Sequence, residues 1–358
     1  MRRFFFLFGI AAVLCSVLLP LHAAQHRKRD EEPKPEILPL PPQLPMALAA
    51  ETRMLDFHIS PLLHTGGLDA QIRQSLNDLI RNTRGETIIK LRAFVSGAGD
   101  ARRVAAEAGQ IFTEHKLPLP VVSIVQVGAL GDESAAVVIE AVVATKRVLN
   151  PNGLAFFSGQ SAPSFQEAIK RLADSARAAS VSPDKLLSCT CFASVISDYA
   201  SMRASLQSAF PNAALDIVQP LREPGDGSAT CEAIAQLSAP LHNGPVVWLE
   251  RERATLVDSP QLVFTGLQLA FGTYLDDAHE AFVRLERAVS AVQAIEAPVQ
   301  VNAFALDGYA AAAVRKTTAT PLAIFTVERI EGLPAMDAAA GIEAVLAPNV
   351  PTRISLVR

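Results

Sequence analysis

No block of basic residues interleaved with aromatics occurs anywhere in the chain, and the formal net charge is only −4. The electrostatic footprint of a nucleic-acid-binding protein is therefore missing. His58 and His64 lack the close partners and spacing of a zinc site, so no metal is expected. The segment Ser158-Gly159-Gln160 has no glycine two residues before its serine, which excludes the strand-to-helix elbow of the α/β hydrolases. No cofactor is expected either. Charged residues make up 19% of the chain against 50% hydrophobic, so there is ample material for buried cores.

Cysteine is sparse, and Cys189, Cys191 and Cys231 all fall in the middle of the chain. Cys189 and Cys191 alternate on a strand and share a face, an arrangement in which neighbours seldom bond to each other. A bond from one of them to Cys231 is open, while buried free thiols acting as small hydrophobes are the favoured reading. At the N-terminus, Arg2 and Arg3 precede an apolar run from Phe4 to Leu19, followed by Pro20 and the small residues Ala23 and Ala24. This reads as a signal peptide over 1–24, which places the mature protein in the periplasm or outside the cell without stable membrane association. An uncleaved anchor is the alternative, because the run approaches the length of a short span. Prolines at 33, 35, 39, 41, 42 and 45 make 25–46 an extended linker.

What the chain has in abundance is repetition. A strand-end Ser or Thr is followed at nearly constant spacing by an Asp that opens a helix: Ser60 and Asp100, Ser158 and Asp198, Thr265 and Asp307. Each set closes on an apolar strand carrying one glutamate, Glu140, Glu232 or Glu343. A period near 100 residues is too long for a solenoid unit and fits a duplicated domain. The boundaries are 47–148, 149–243 and 244–350. Apolar stripes at helical spacing (Ile72, Leu76, Leu79, Ile80; Val104, Ala108, Ile111, Phe112; Phe165, Ile169, Leu172, Ala176) alternate with β-rich runs. The order is strand, helix, strand, helix, strand, strand. Two helices cover only one sheet face, so the three copies are expected to bury the other face against one another round a pseudo-threefold axis, as a monomer.

The strand Ile88-Ile89-Lys90-Leu91-Arg92-Ala93-Phe94-Val95, the pair Val125-Gln126-Val127 with Val138-Ile139-Glu140-Ala141, and the loop Phe157-Ser158-Gly159-Gln160 together resemble the Rid family. These are the YjgF-like reactive-intermediate deaminases. The resemblance implies an α+β fold of three tandem Rid-like (chorismate-mutase-like) domains, each a mixed sheet with two helices on one face, with small-molecule ligands in the inter-domain clefts. It implies a catalytic role for Glu140, Glu232 and Glu343, which would hold the water that attacks an imine carbon. Ser158, Gly159 and Gln160 would face the ligand. The arginine that grips a substrate carboxylate in active imine deaminases is missing after Pro120, Pro211 and Pro321, and Arg222 is the first candidate for a relocated cation. The expectation is therefore an exported Rid-like binding or scaffold protein that has lost imine deaminase chemistry. The alternative is a hydrolytic enamine/imine deaminase with an unusual substrate.

Overall fold

A computed structural model describes residues 42–348, apart from 98, 292–295 and 318–323. The expected signal peptide, and the linker up to residue 41, lie outside the described residues, so the signal peptide gains no support. Among the described residues, no helix is long and apolar enough to cross a membrane.

The first repeat contains β1 (Ala47–Glu51), β2 (Leu55–Ile59), α1 (Leu68–Asn82), β3 (Thr87–Ser96), α2 (Arg102–Glu114), β4 (Val121–Val127) and β5 (Val137–Ala144). The second contains β6 (Leu154–Ala162), α3 (Phe165–Ala178), β7 (Leu186–Ala193), α4 (Tyr199–Ala209), β8 (Ala214–Val218) and β9 (Ala229–Gln236). A hairpin of β10 (Val246–Leu249) and β11 (Ala254–Val257) leads into the third. That repeat holds β12 (Gln261–Thr265), β13 (Gln268–Ala270), α5 (Leu275–Ala291), β14 (Glu296–Ala305), α6 (Gly308–Thr317), β15 (Phe325–Arg329) and β16 (Ala340–Pro348). The result is a mixed α+β fold with three multi-stranded sheets and six α-helices among the described residues.

The helices form where the apolar stripes placed them, and the local chemistry that starts them is visible. Ser164 caps α3 by accepting from Glu167 N–H, Asp198 caps α4 by accepting from Ser201 N–H, and Asp307 accepts from the amides of Tyr309 and Ala310 at the start of α6. Each stripe is buried against its own sheet. Ile72, Leu76, Leu79, Val104, Ala108, Ile111 and Phe112 join β3 and β5 in one core, and the second and third repeats have equivalent cores.

In each repeat the central strand pairs parallel with one neighbour and antiparallel with the glutamate-bearing strand. All three antiparallel ladders slip register at the same place, between Ile88 and Lys90, Leu186 and Ser188, and Pro298 and Gln300. A bulge of this kind bends a strand and re-aims the side chains beyond it. Past the bulge, three successive inward positions are Lys90, Arg92 and Phe94 in the first repeat, Ser188, Thr190 and Phe192 in the second, and Gln300, Asn302 and Phe304 in the third. The phenylalanines meet edge to face, with ring centroids 5.8 Å apart for Phe94 and Phe192 and 6.3 Å apart for Phe192 and Phe304. Two further apolar clusters draw on all three repeats, so the sheet faces not covered by helices bury one another.

Strand pairing crosses the repeat boundaries that periodicity suggests. β1 adds to the third sheet through β12, and the β10–β11 hairpin adds to the second sheet through β6. The cysteines also depart from the favoured free-thiol reading: Cys191 and Cys231, directly paired across β7 and β9, form a disulfide, and among the described residues only Cys189 stays free. Direct pairing brings their Cα atoms to 4.1 Å, which sequence spacing alone does not reveal.

Phe192 touches both other phenylalanines from the middle of the shared core. Phe192→Ala should destabilise the protein by about 3–5 kcal/mol, read as a lower urea midpoint, with all three repeats unfolding together if the shared core makes them one cooperative unit.

Candidate functional site: an axial charge cluster and two inter-domain clefts

The three glutamates singled out in the sequence converge. In the ladders Glu140 stands opposite Arg92, Glu232 opposite Thr190, and Glu343 opposite Asn302. Arg92 donates from Nε to Glu140 Oε2 at 2.5 Å and from Nη1 to Glu232 Oε1 at 2.7 Å, and lies 3.4 Å from Glu343 Oε1. Its Nη2 donates to Thr190 Oγ1, which in turn donates to Glu140. Lys90 Nζ donates to Glu343 Oε2 at 2.6 Å and to the Thr265 carbonyl at 2.8 Å. Asn302 and Gln300 contribute amide donors to Glu232.

Two cations thus face three carboxylates. Burial raises the Glu232 pKa, and Arg92 only partly offsets it. Burial also raises Glu343, but Lys90 and Arg92 together outweigh that and hold it below the usual carboxylate range. For Lys90, burial wins over the pull of Glu343 and lowers the pKa. Lys90 nonetheless donates to a carboxylate and a carbonyl at once, the geometry of an ammonium, and it pairs with Glu343 as a cation. The remaining space at the cluster, about 70 Å³, holds a few waters at most. Instead of serving three separate clefts, the glutamates tie three domains to one arginine.

The clefts lie further out. Between the first and second domains, a 590 Å³ cleft is lined by Ile59, Ser60, Leu62, Tyr199, Arg203 and Asp216, among others. Asp216 is 2% exposed. Its Oδ1 accepts from Ile217 N–H and its Oδ2 has no hydrogen-bond partner in the protein. Burial, reinforced by the nearby Glu140, pushes its pKa up to about 8.

Between the second and third domains, a 390 Å³ cleft is lined by Gly159, Gln160, Arg171, Arg253, Arg315 and Glu328, with Thr230 and Thr326 beside them. Gly159 is required here: a Cβ would lie 2.5 Å from Thr230 Cγ2 and 2.9 Å from Thr326 Cγ2. Its amide donates across the domain boundary to Thr326 Oγ1. Arg253 has a left-handed backbone, φ 50°, which is uncommon for a residue with a side chain. That turn lets its carbonyl accept from Ser158 N–H while its side chain donates to the carbonyls of Gly159 and Phe325, one in each domain. Arg315 donates to the Val327 carbonyl. Among the described residues neither Arg253 nor Arg315 forms a salt bridge. Burial, helped by the Glu232 charge, pushes Glu328 up to about 8.

Of the sequence-derived ligand residues, Gly159 and Gln160 line this second cleft, and Ser158 is buried behind it. Gln160 donates to the Ser158 and Glu252 carbonyls. Arg222 lies elsewhere: its backbone packs where a Cβ on Gly128 would fall, and its amide donates to Glu331. The arginines the sequence reading missed are Arg171, Arg253 and Arg315, which come from one helix, one hairpin and another helix and share no sequence signal. Asp216 did leave one, a lone acid at an inward position between Leu215 and Ile217.

No family model matches the chain, and no curated protein does. Likenesses to solved structures were found. A cyanuric acid hydrolase described as an evolutionary innovation by structural concatenation is 12% identical, covers 84% of this chain and 100% of its own, and has a TM-score of 0.23. Cyanuric acid hydrolase from A. caulinodans is 10% identical over 85% of this chain and 100% of its own, with a TM-score of 0.23. PurL from T. maritima, complexed with FGAR, is 8% identical over 85% of this chain and 75% of its own, with a TM-score of 0.29. Likenesses this shallow carry no argument about activity. They are nonetheless to cyanuric acid hydrolase and PurL rather than to a Rid protein. The Rid assignment is therefore corrected, and with it the readings as a Rid-like binding protein and as an imine deaminase. The short strand patterns that suggested it are ones that many βαββ units with a buried glutamate would share.

Two predictions follow from the charges. Arg92→Ala would leave three glutamates at the axis without their common partner and should cost about 3–5 kcal/mol; Arg92→Lys should restore only part of this, because one ammonium cannot reach all of Arg92's partners. Urea unfolding checks both. Asp216 and Glu328 have folded pKa values above the 3.8 and 4.5 of the unfolded chain, so they favour the folded state most below pH 4, and that contribution is lost as pH rises to about 8. The double variant Asp216→Asn, Glu328→Gln should flatten the fall in urea midpoint between pH 5 and pH 8.

Proposed function

We propose that the protein binds a small organic carboxylate in the cleft between its second and third domains. The observation that carries this reading is the pair of guanidiniums, Arg253 and Arg315, that face one cleft without a salt-bridge partner among the described residues. A guanidinium offers a planar fork of donors that matches a carboxylate, and the Arg253 fork is already oriented by its bonds to Gly159 and Phe325. A cleft of 390 Å³ falls within the usual range for small-molecule sites. Glu328 supports the same reading. Kept neutral near pH 7, it adds no repelling charge and has a proton to donate to a bound carboxylate oxygen. That proton also makes acid catalysis on the bound molecule a second reading.

Calorimetry with a panel of small mono- and dicarboxylates tests the proposal. Binding should weaken about tenfold to a hundredfold in Arg315→Ala, through loss of a charge-assisted contact worth about 1.5–3 kcal/mol. It should also weaken about tenfold between pH 7 and pH 9 as Glu328 ionises. No binding by any carboxylate, or binding indifferent to both changes, sinks the reading.

A further inference from the structure

The cleft between the second and third domains does not end at Glu328. A further space of about 180 Å³ lies beyond that residue, lined by Phe192, Pro220 and Leu221 and by Ser194, Ser228 and Glu223. Thr230 and Glu328 line both spaces, so the two meet at one pair of side chains. Thr230 donates to the Glu328 carboxyl, and Glu328 itself is only partly buried. The repeats supply their own comparison at this point. Phe192 stands between Val218 and Thr230 in the second sheet, Phe94 between Val125 and Val138 in the first, and Phe304 between Glu328 and Gly341 in the third. At the boundary between the first and second domains, the counterparts of Glu328 and Thr230 are therefore Val218 and Val138, both part of the shared apolar cluster. Valine meets the packing need at this position, so a carboxyl and a hydroxyl are not required to fill it.

The two spaces differ in charge. The outer one presents Arg253 and Arg315, whereas the inner one presents Glu223, an exposed carboxylate with no partner among the described residues. Arg329 also lines the inner space, but it leaves β15 on the face opposite Glu328, the face on which Val327 packs against the helix-covered core. The Glu232 charge behind Glu328 adds to the negative field. We infer, on the reading of the outer cleft as a carboxylate site, that its ligand is an ω-amino carboxylate: the carboxylate lies at Arg253 and Arg315, the methylene chain passes Glu328 and Thr230, and the ammonium ends beside Glu223. Phe192, Pro220 and Leu221 suit the methylenes. A second carboxylate at the far end would instead meet Glu223 and the field of Glu232.

The test is calorimetry on the whole protein at about pH 6, where Glu328 keeps its proton. Straight-chain ω-amino carboxylates of about four to eight carbons are compared with ω-hydroxy carboxylates and α,ω-dicarboxylates of the same lengths. At the best length the amino ligand should bind about fivefold tighter than its hydroxy counterpart, the size of an exposed charge pair, and the dicarboxylate should bind weakest. Glu223→Gln should abolish that advantage, and Glu223→Lys should turn the preference toward the dicarboxylate. Both substitutions fall at an exposed position, so neither threatens the fold. Propionate, too short to leave the outer cleft, should bind alike to the wild type and to both Glu223 variants, and should lose affinity in Arg315→Ala. An amino advantage that is absent at every length, or that survives both Glu223 variants, overturns the inference, while propionate binding then leaves the carboxylate site standing. No binding by propionate or by any longer acid removes both.

Discussion

One guanidinium serves three carboxylates where the three repeats meet, and the arrangement of the molecule follows from keeping it there. Buried charges are stable only when paired and hydrogen-bonded, so Glu140, Glu232 and Glu343 are each admitted to the interior by donors that belong partly to other domains. Arg92 comes from the first repeat, Thr190 from the second, and Gln300 and Asn302 from the third. Three identical chains could not do this. Symmetry would put the same side chain at all three central positions, giving three arginines or none, whereas one continuous chain can place a cation at one position and neutral donors at the other two.

The frame that holds this cluster is repetitive, but its fittings are not. The three bulges and the three phenylalanines recur at matching positions, since any loss there would misplace a shared core. Between these fixed points the side chains have diverged. At the inter-domain boundaries one cleft collects arginines and another an isolated acid, while at the corresponding place between the third and first domains Gly266 packs directly on Val121 and Val122 and bonds to the carbonyl of Met46. Equivalent geometry therefore yields three chemically different places.

Much of the frame was legible in the sequence. The stripes of Ile72 to Leu79 and Phe165 to Ala176 are helices, the run Ile88–Val95 lies within a strand, and Asp198 and Asp307 cap the helices they precede. These features depend on residues within a few positions of one another, which is what periodicity and capping report. The recurrent glutamates were visible too, but not their meeting point, because the distance between residues from different repeats has no local signature. For the same reason Arg92 read as one more residue of an apolar strand, and the Cys191–Cys231 bond was not favoured over free thiols. The transfer of β1 and of β10–β11 to neighbouring sheets was hidden because an edge strand shows its alternation without naming the sheet it joins.

That transfer also bears on how the domain order is fixed. β1 and β16, the first and last described strands, lie in one sheet with only β12 between them, so among the described residues the first repeat is stitched to the third and the three repeats form a closed circuit. In a circuit, no domain is intrinsically first. A gene rearranged to start at β6 and to run through the third repeat into the first could rebuild the same three sheets, and the axial arginine would meet the same three glutamates. The structure constrains which domains are neighbours and leaves the starting point to the history of the gene.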